Sequence, residues 1–275
     1  MSHPARSQTH RRGYAARLAL LVGAALTLLG VAAAPAALAQ TPAQSSTTAA
    51  VAPWSDLSAA PALAALATAD RMPAFDSAFV VDKDGGITVT ETIQYSFDSS
   101  GGVRHGIYRA ITVRQGVDGR TDVYRYLSMT GVSVSSPTGA DATVQLVDNG
   151  PDVTIRIGSA SKTVSGTQTY VVRYHLANVL NPFTDTQTAE FYYNVIKDDT
   201  VAKGAVTVSV TAPVAATDVR CTRGVGAACD SATGGATARF AVGSLAAGEN
   251  LTIDTRYPLS GFSKIAPDIR TGTAG

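Results

Sequence analysis

The chain has 275 residues with 22 basic against 21 acidic side chains, so it carries no strong basic field and nucleic acid is not an expected partner. Four histidines leave little room for imidazole chemistry, and two of them, His3 and His10, fall in the N-terminal leader.

That leader opens with Arg6, Arg11, Arg12 and Arg17 and no acidic residue. An apolar run extends from Leu18 to Ala34, and Ala37-Leu38-Ala39 puts small residues where a signal peptidase reads. Residues 1–39 are therefore expected to be a signal peptide cleaved after Ala39, with retention as a single membrane anchor as the alternative. Arg11-Arg12-Gly13-Tyr14 leaves the twin-arginine route open beside the general secretory one. Cleavage leaves 18 basic against 21 acidic residues, a net charge of −3, and only His105 and His175.

Residues 40–73 are rich in Ala, Pro, Ser and Thr and read as a tether, in which Pro61 to Ala67 could form one short helix. The chain beyond residue 73 is long enough for one well-buried β domain or two small ones, and no later apolar stretch approaches membrane-spanning length.

Period-two alternation dominates residues 74–262. Ile87, Val89, Ile93, Tyr95 and Phe97 share one face, with Thr88, Thr90, Thr92, Gln94 and Ser96 opposite. The pattern recurs at Val153-Ile155-Ile157, Tyr170-Val172-Tyr174-Leu176, Phe191-Tyr193-Val195, Val206-Val208-Val210, Ala238-Phe240-Val242 and Leu251-Ile253. Turn residues punctuate these runs and no long helical period appears. The predicted fold is all-β, an antiparallel sandwich with immunoglobulin-like packing, with a tail over residues 263–275.

Cys221 and Cys229 lie in "CTRGVGAAC", a glycine-containing loop of an exported chain, where a disulfide is expected. Closing so short a ring contributes roughly 2.5 kcal/mol on the loop-entropy account. The spacing does not suit paired zinc ligands. Asp82-Lys83-Asp84-Gly85-Gly86 lacks the third carboxylate and distal glutamate of a calcium loop and reads as a hairpin turn. No Gly-x-Ser-x-Gly elbow is present. No cofactor, metal or catalytic residue is expected.

Two charges fall on apolar faces: Glu91 between Val89 and Ile93, and Arg109 in the series Ile107, Arg109, Ile111, Val113. An unpaired charge there would be costly, so the two are expected to meet as a buried pair that fixes strand register, with a ligand site as the alternative. The stretch "GVRHGIYRAI" at 103–112 is read as a strand entry bent at Gly102 and Gly106, with Arg104 and a partly exposed His105 in the preceding loop.

Taken in order, "DGGITVTETIQYSF", "HGIYRAI", "IRIG", "GTQTYVVRY", "EFYYNVI", the cysteine loop and "LAAGENLTIDTRYPLSGF" resemble the bacterial family called domain of unknown function 2207, over about residues 78 to 262. The resemblance implies an extracytoplasmic β domain of a membrane-protein family without an assigned activity. Members usually continue into transmembrane helices and a low-complexity cytoplasmic tail, so ending at Gly275 reads as a short form, a truncated gene or a fragment. Members also tend to carry tryptophan where Tyr193 stands, just before Asn194, which puts any tryptophan-specific contact there in doubt.

The functional expectation is an exported, non-catalytic module that contacts an unidentified protein or polymer of the cell envelope. One alternative is a hydrolase using carboxylates such as Glu91 or Glu190, which needs two carboxylates facing across a cleft at about 5–10 Å. The other is a carbohydrate binder built on Tyr192 and Tyr193, which needs exposed coplanar aromatics.

Overall fold

A computed structural model describes residues 69–197 and 199–275; the expected signal peptide and nearly all of the tether lie outside the described residues. The fold is all-β. In chain order the strands are β1 (Arg71–Val81), β2 (Ile87–Phe97), β3 (Gly106–Thr112), β4 (Arg114–Val117), β5 (Arg120–Tyr126) and β6 (Ser128–Ser135). Next come β7 (Val144–Asp148), β8 (Asp152–Gly158), β9 (Gly166–Ala177), β10 (Asn181–Phe183), β11 (Thr188–Ile196) and β12 (Ala202–Ala216). The last six are β13 (Asp218–Arg223), β14 (Ala227–Ala228), β15 (Ser231–Thr233), β16 (Gly235–Val242), β17 (Leu251–Pro258) and β18 (Asp268–Thr271). β1 starts inside the stretch expected as tether, and β18 lies in the stretch expected as tail.

Four sheets result. A seven-stranded sheet runs β15-β16-β12-β1-β2-β9-β6 and a five-stranded one β10-β11-β17-β13-β14; two three-stranded sheets run β18-β5-β4 and β3-β8-β7. Pairing is antiparallel except between β1 and β12, which lie parallel from Arg71↔Ala202 to Val80↔Thr211. Antiparallel pairing thus dominates, as expected, with this one parallel pair as the exception. β1 is also the strand that alternation misses: Ser77 occupies its inward face fully buried, and a lone polar residue there breaks the apolar series.

The alternation in β2, β9, β11 and β17 becomes burial, since one face of each strand turns to a common core. The ring of Phe79 on β1 lies 5.4 Å from that of Phe191 and 5.9 Å from that of Tyr193, both on β11, so the seven- and five-stranded sheets meet through aromatic side chains. β3 closes onto the same core with Ile107 and Ile111. Among the described residues no helix is long and apolar enough to cross a membrane.

Candidate functional site

Glu91 and Arg109 meet at the centre of this core. Arg109 donates from Nε to Glu91 Oε2 and from Nη2 to Glu91 Oε1, each at 2.7 Å. Its Nη2 also donates to the Val195 carbonyl at 2.7 Å, and its Nη1 to the Ala110 carbonyl at 2.7 Å. The Tyr174 hydroxyl donates to Glu91 Oε1 at 2.9 Å. Burial by itself would lower the proton affinity of Arg109, but the Glu91 charge and its hydrogen bonds, with smaller contributions from Tyr174 and Tyr193, together outweigh it and hold the guanidinium above its ordinary value. Burial and then Glu91 push the Tyr174 hydroxyl well above its ordinary value, so it stays a donor.

The role expected for this pair needs correcting. β2 pairs with β1 and β9, whereas β3 pairs with β8, so Glu91 and Arg109 do not sit on neighbouring strands and set no register between them. Arg109 instead ties β3 to β2 and β11, one strand from each of three sheets. Glu91 is fully buried and its partners fill the space around it, so a substrate has no access to this carboxylate.

The loop before β3 is the strand entry its glycines foretell. Gly102 and Gly106 both take positive φ, +86° and +149°. A Cβ on Gly106 would stand 1.8 Å from the Ile157 carbonyl oxygen, because Gly106 lies directly opposite Gly158 in the β3–β8 pair. Arg104 pairs with Asp70 at 2.9 Å, and the Tyr95 hydroxyl donates to the same carboxylate oxygen at 3.1 Å. His105 is exposed and its Nδ1 lies 2.9 Å from the Lys162 carbonyl oxygen, on a shallow cavity of about 260 Å³. His175 is on β9, with Nε2 3.6 Å from Asp82 at the β1–β2 turn. Among the described residues the two histidines share no partner.

Tyr193 and Asn194, adjacent in sequence, face opposite ways. Tyr193 is 1% exposed and stacks in the core beside Phe191, which removes it as a contact residue. Tyr192 and Asn194 face outward into a cleft of about 860 Å³. Cys221 and Cys229 are joined by a disulfide with Cα atoms 5.5 Å apart, bracing the β13–β14 hairpin.

That cleft is the feature sequence reasoning missed. One wall is the outer face of β10, β11 and β17, and the other is formed by β4, β5 and β18. In the β11–β17 pair Glu190 faces Arg256 and Tyr192 faces Asp254. Arg256 Nη2 donates to Glu190 Oε1 at 2.9 Å, and Asn181 Nδ2 to Glu190 Oε2 at 3.4 Å. Asp254 is held above the usual aspartate value, first by burial and then by the Glu190 charge. Where the walls join, Arg125 donates to the side-chain oxygens of Asn181 and Gln115. Asp254 Oδ1, Arg256 Nε and Arg114 Nε are shielded from solvent and have no hydrogen-bond partner among the described residues. The sequence signal was present in the polar positions alternating with Phe191, Tyr193 and Val195; nothing local marks that face as a cleft wall instead of open surface.

Residues 71–257 match the family model described as "Predicted membrane protein (DUF2207) N-terminal domain". No curated protein matches the sequence. Among solved structures, the chain is similar to a putative protease from Parabacteroides distasonis ATCC 8503 at 11% identity and a TM-score of 0.37, covering 69% of this chain and 40% of that one. It is similar to an M1 zinc metallopeptidase from Deinococcus radiodurans at 9% identity and a TM-score of 0.33, covering 68% of this chain and 42% of that one. The chain thus spans about two fifths of the length of these proteins.

Proposed function

The chain belongs to the DUF2207 family of predicted membrane proteins, and on that premise we propose that it is an exported, non-catalytic β module of the cell envelope that binds a partner through the cleft between β11–β17 and β4–β5. The observation that carries this reading is the closure of Glu91 inside the core, saturated by Arg109 and Tyr174. The strongest charge constellation legible in the sequence serves the fold, and the cleft supplies the accessible polar surface. Export is inferred from the basic start, apolar run and Ala37-Leu38-Ala39 of the leader.

A carboxylate hydrolase is the second reading, and one observation favours it: Glu190 and Asp254 share the cleft, and Asp254 is held above its usual value. Against it, Glu190 is engaged by Arg256 and Asn181, as a structural acceptor would be.

A photoreactive aromatic amino acid in place of exposed Tyr192 tests the binding reading in the cell that exports the chain. The expected result is a mature N-terminus at Gln40 and a crosslink to an envelope component, absent when the same group replaces exposed Leu146 on β7. Retention in the cytoplasm, or equal crosslinking at both positions, overturns it.

A further inference from the structure

We infer that the cleft binds a saccharide carrying a carboxylate group; this deepens the binding reading above and rests on it. A volume of about 860 Å³ is at the scale of a ligand site, within the about 300–1,000 Å³ usual for such clefts.

The charges select the anionic group. Glu190 has Arg256 as its counter-ion, and Lys197, also on the cleft, lies 3.5 Å from Asp152. Arg114 and Arg125 line the opposite wall and, among the described residues, neither enters an ion pair. Arg125 is only 4% exposed and is held by two neutral amide oxygens. A buried guanidinium in no direct ion pair is unfavourable, since the nearby Glu190 charge offsets its burial only in part, and a planar carboxylate is the group its fork matches. Burial pushes Arg125 down to about 10, a penalty that a bound anion would relieve.

The remaining groups select hydroxyls and a ring. Among the described residues, Asp254 Oδ1 is an acceptor without a donor, and Arg114 Nε and Arg256 Nε are donors without an acceptor. Hydroxyl groups serve both needs, whereas an apolar ligand serves neither. Tyr192, 46% exposed, stands directly opposite Asp254 in the β11–β17 pair. A flat aromatic beside a carboxylate suits a pyranose, whose C–H face packs on the ring while its rim hydroxyls reach the oxygen.

A peptide fits less well. The strand edges beside the cleft are β10, β4 and β18, three to four residues each, and the central Pro182 of β10 has no N–H to offer. Edges this short offer few backbone groups, so strand addition has little length to pair with.

Titration calorimetry of the purified chain with three probes tests the inference: tri-galacturonate, its methyl ester and tri-aspartate. Tri-galacturonate should bind at least about tenfold tighter than the ester, the loss expected when a charge-assisted contact is removed. Tyr192→Ala should weaken the acid and the ester alike by about tenfold. Arg125→Gln should remove the preference for the acid; if that variant melts early, Arg114→Gln on the same wall gives the same readout. Equal binding of acid and ester, tri-aspartate binding as tightly as the saccharide, or no saccharide binding each overturn the inference. The crosslink at position 192 stands or falls separately, so a peptide-binding cleft would leave the binding reading intact. Binding accompanied by cleavage of tri-galacturonate would support the saccharide and remove the non-catalytic reading.

Discussion

The Arg109 guanidinium and the Glu91 carboxylate share two hydrogen bonds of 2.7 Å, although their strands are not neighbours in any sheet. Removing one charge strands the other in a dry core. Arg109→Ala is therefore expected to lower stability by about 3–5 kcal/mol. The double variant Glu91→Leu/Arg109→Met should lose clearly less than the sum of the single changes, because it leaves no orphaned charge. Urea melts of the three proteins check both statements, and additive losses would mean that the fork contributes little beyond its separate contacts.

Gly106→Ala should be among the most damaging single-methyl changes in the chain. The added carbon would stand 1.8 Å from the Ile157 carbonyl, so β3 and β8 would have to separate. We expect a loss of more than about 3 kcal/mol, in the range of the large steric failures. Gly102→Ala meets nothing within 4 Å and suffers only its positive φ, about 1–2 kcal/mol. Thermal melts of the pair discriminate; similar losses would show that φ and not crowding governs this entry.

His105→Ala is expected to shift stability by no more than about 0.5 kcal/mol, since the side chain is exposed and, among the described residues, its ring makes one hydrogen bond, with the Lys162 carbonyl. A collapse of this variant in the same melts would mean that the loop depends on its histidine.

The disulfide gives a mass-spectrometric prediction. Cys221 and Cys229 should resist alkylation in the native protein isolated without reductant and react only after reduction. Reduction should also destabilise the fold by roughly 2.5 kcal/mol, on the loop-entropy account. Two freely alkylated thiols in native protein would refute the bridge.

Asp254 should make stability depend on pH in an unusual direction for an aspartate. Its folded value is raised, by burial and then by Glu190, with Arg256 and Arg220 opposing and Asp218 adding a smaller like charge. The folded state therefore favours the protonated form, and stability is lost as pH rises from the ordinary value of 3.8 through the raised folded one. Asp254→Asn should melt above wild type at neutral pH, and the two should converge about one unit below the ordinary value of 3.8. A gain of the same size at both pH values would place the effect outside this titration. The same variant should weaken saccharide binding, a loss of function beside a gain of stability.

Alternation alone determined the all-β class and most of the core, because a strand with one buried face must place apolar side chains at every second residue. Glu91 and Arg109 could be matched from sequence for a related reason: two opposite charges on apolar faces each need a partner, and each was the other's nearest candidate. Their topology was not legible. Consecutive strands need not be neighbours, and only the folded chain sends β2 into one sheet and β3 into another. The parallel pairing of β1 with β12, more than a hundred residues apart, leaves no local trace. The cleft is hidden for the same reason. Glu190 and Tyr192 could be named only as a candidate carboxylate and a candidate aromatic, and Asp254 read as an ordinary polar position; they line one cleft only because β4, β5 and β18 are brought across them. Local sequence sets which way a side chain faces within its own strand; what lies opposite that face is decided by long-range pairing.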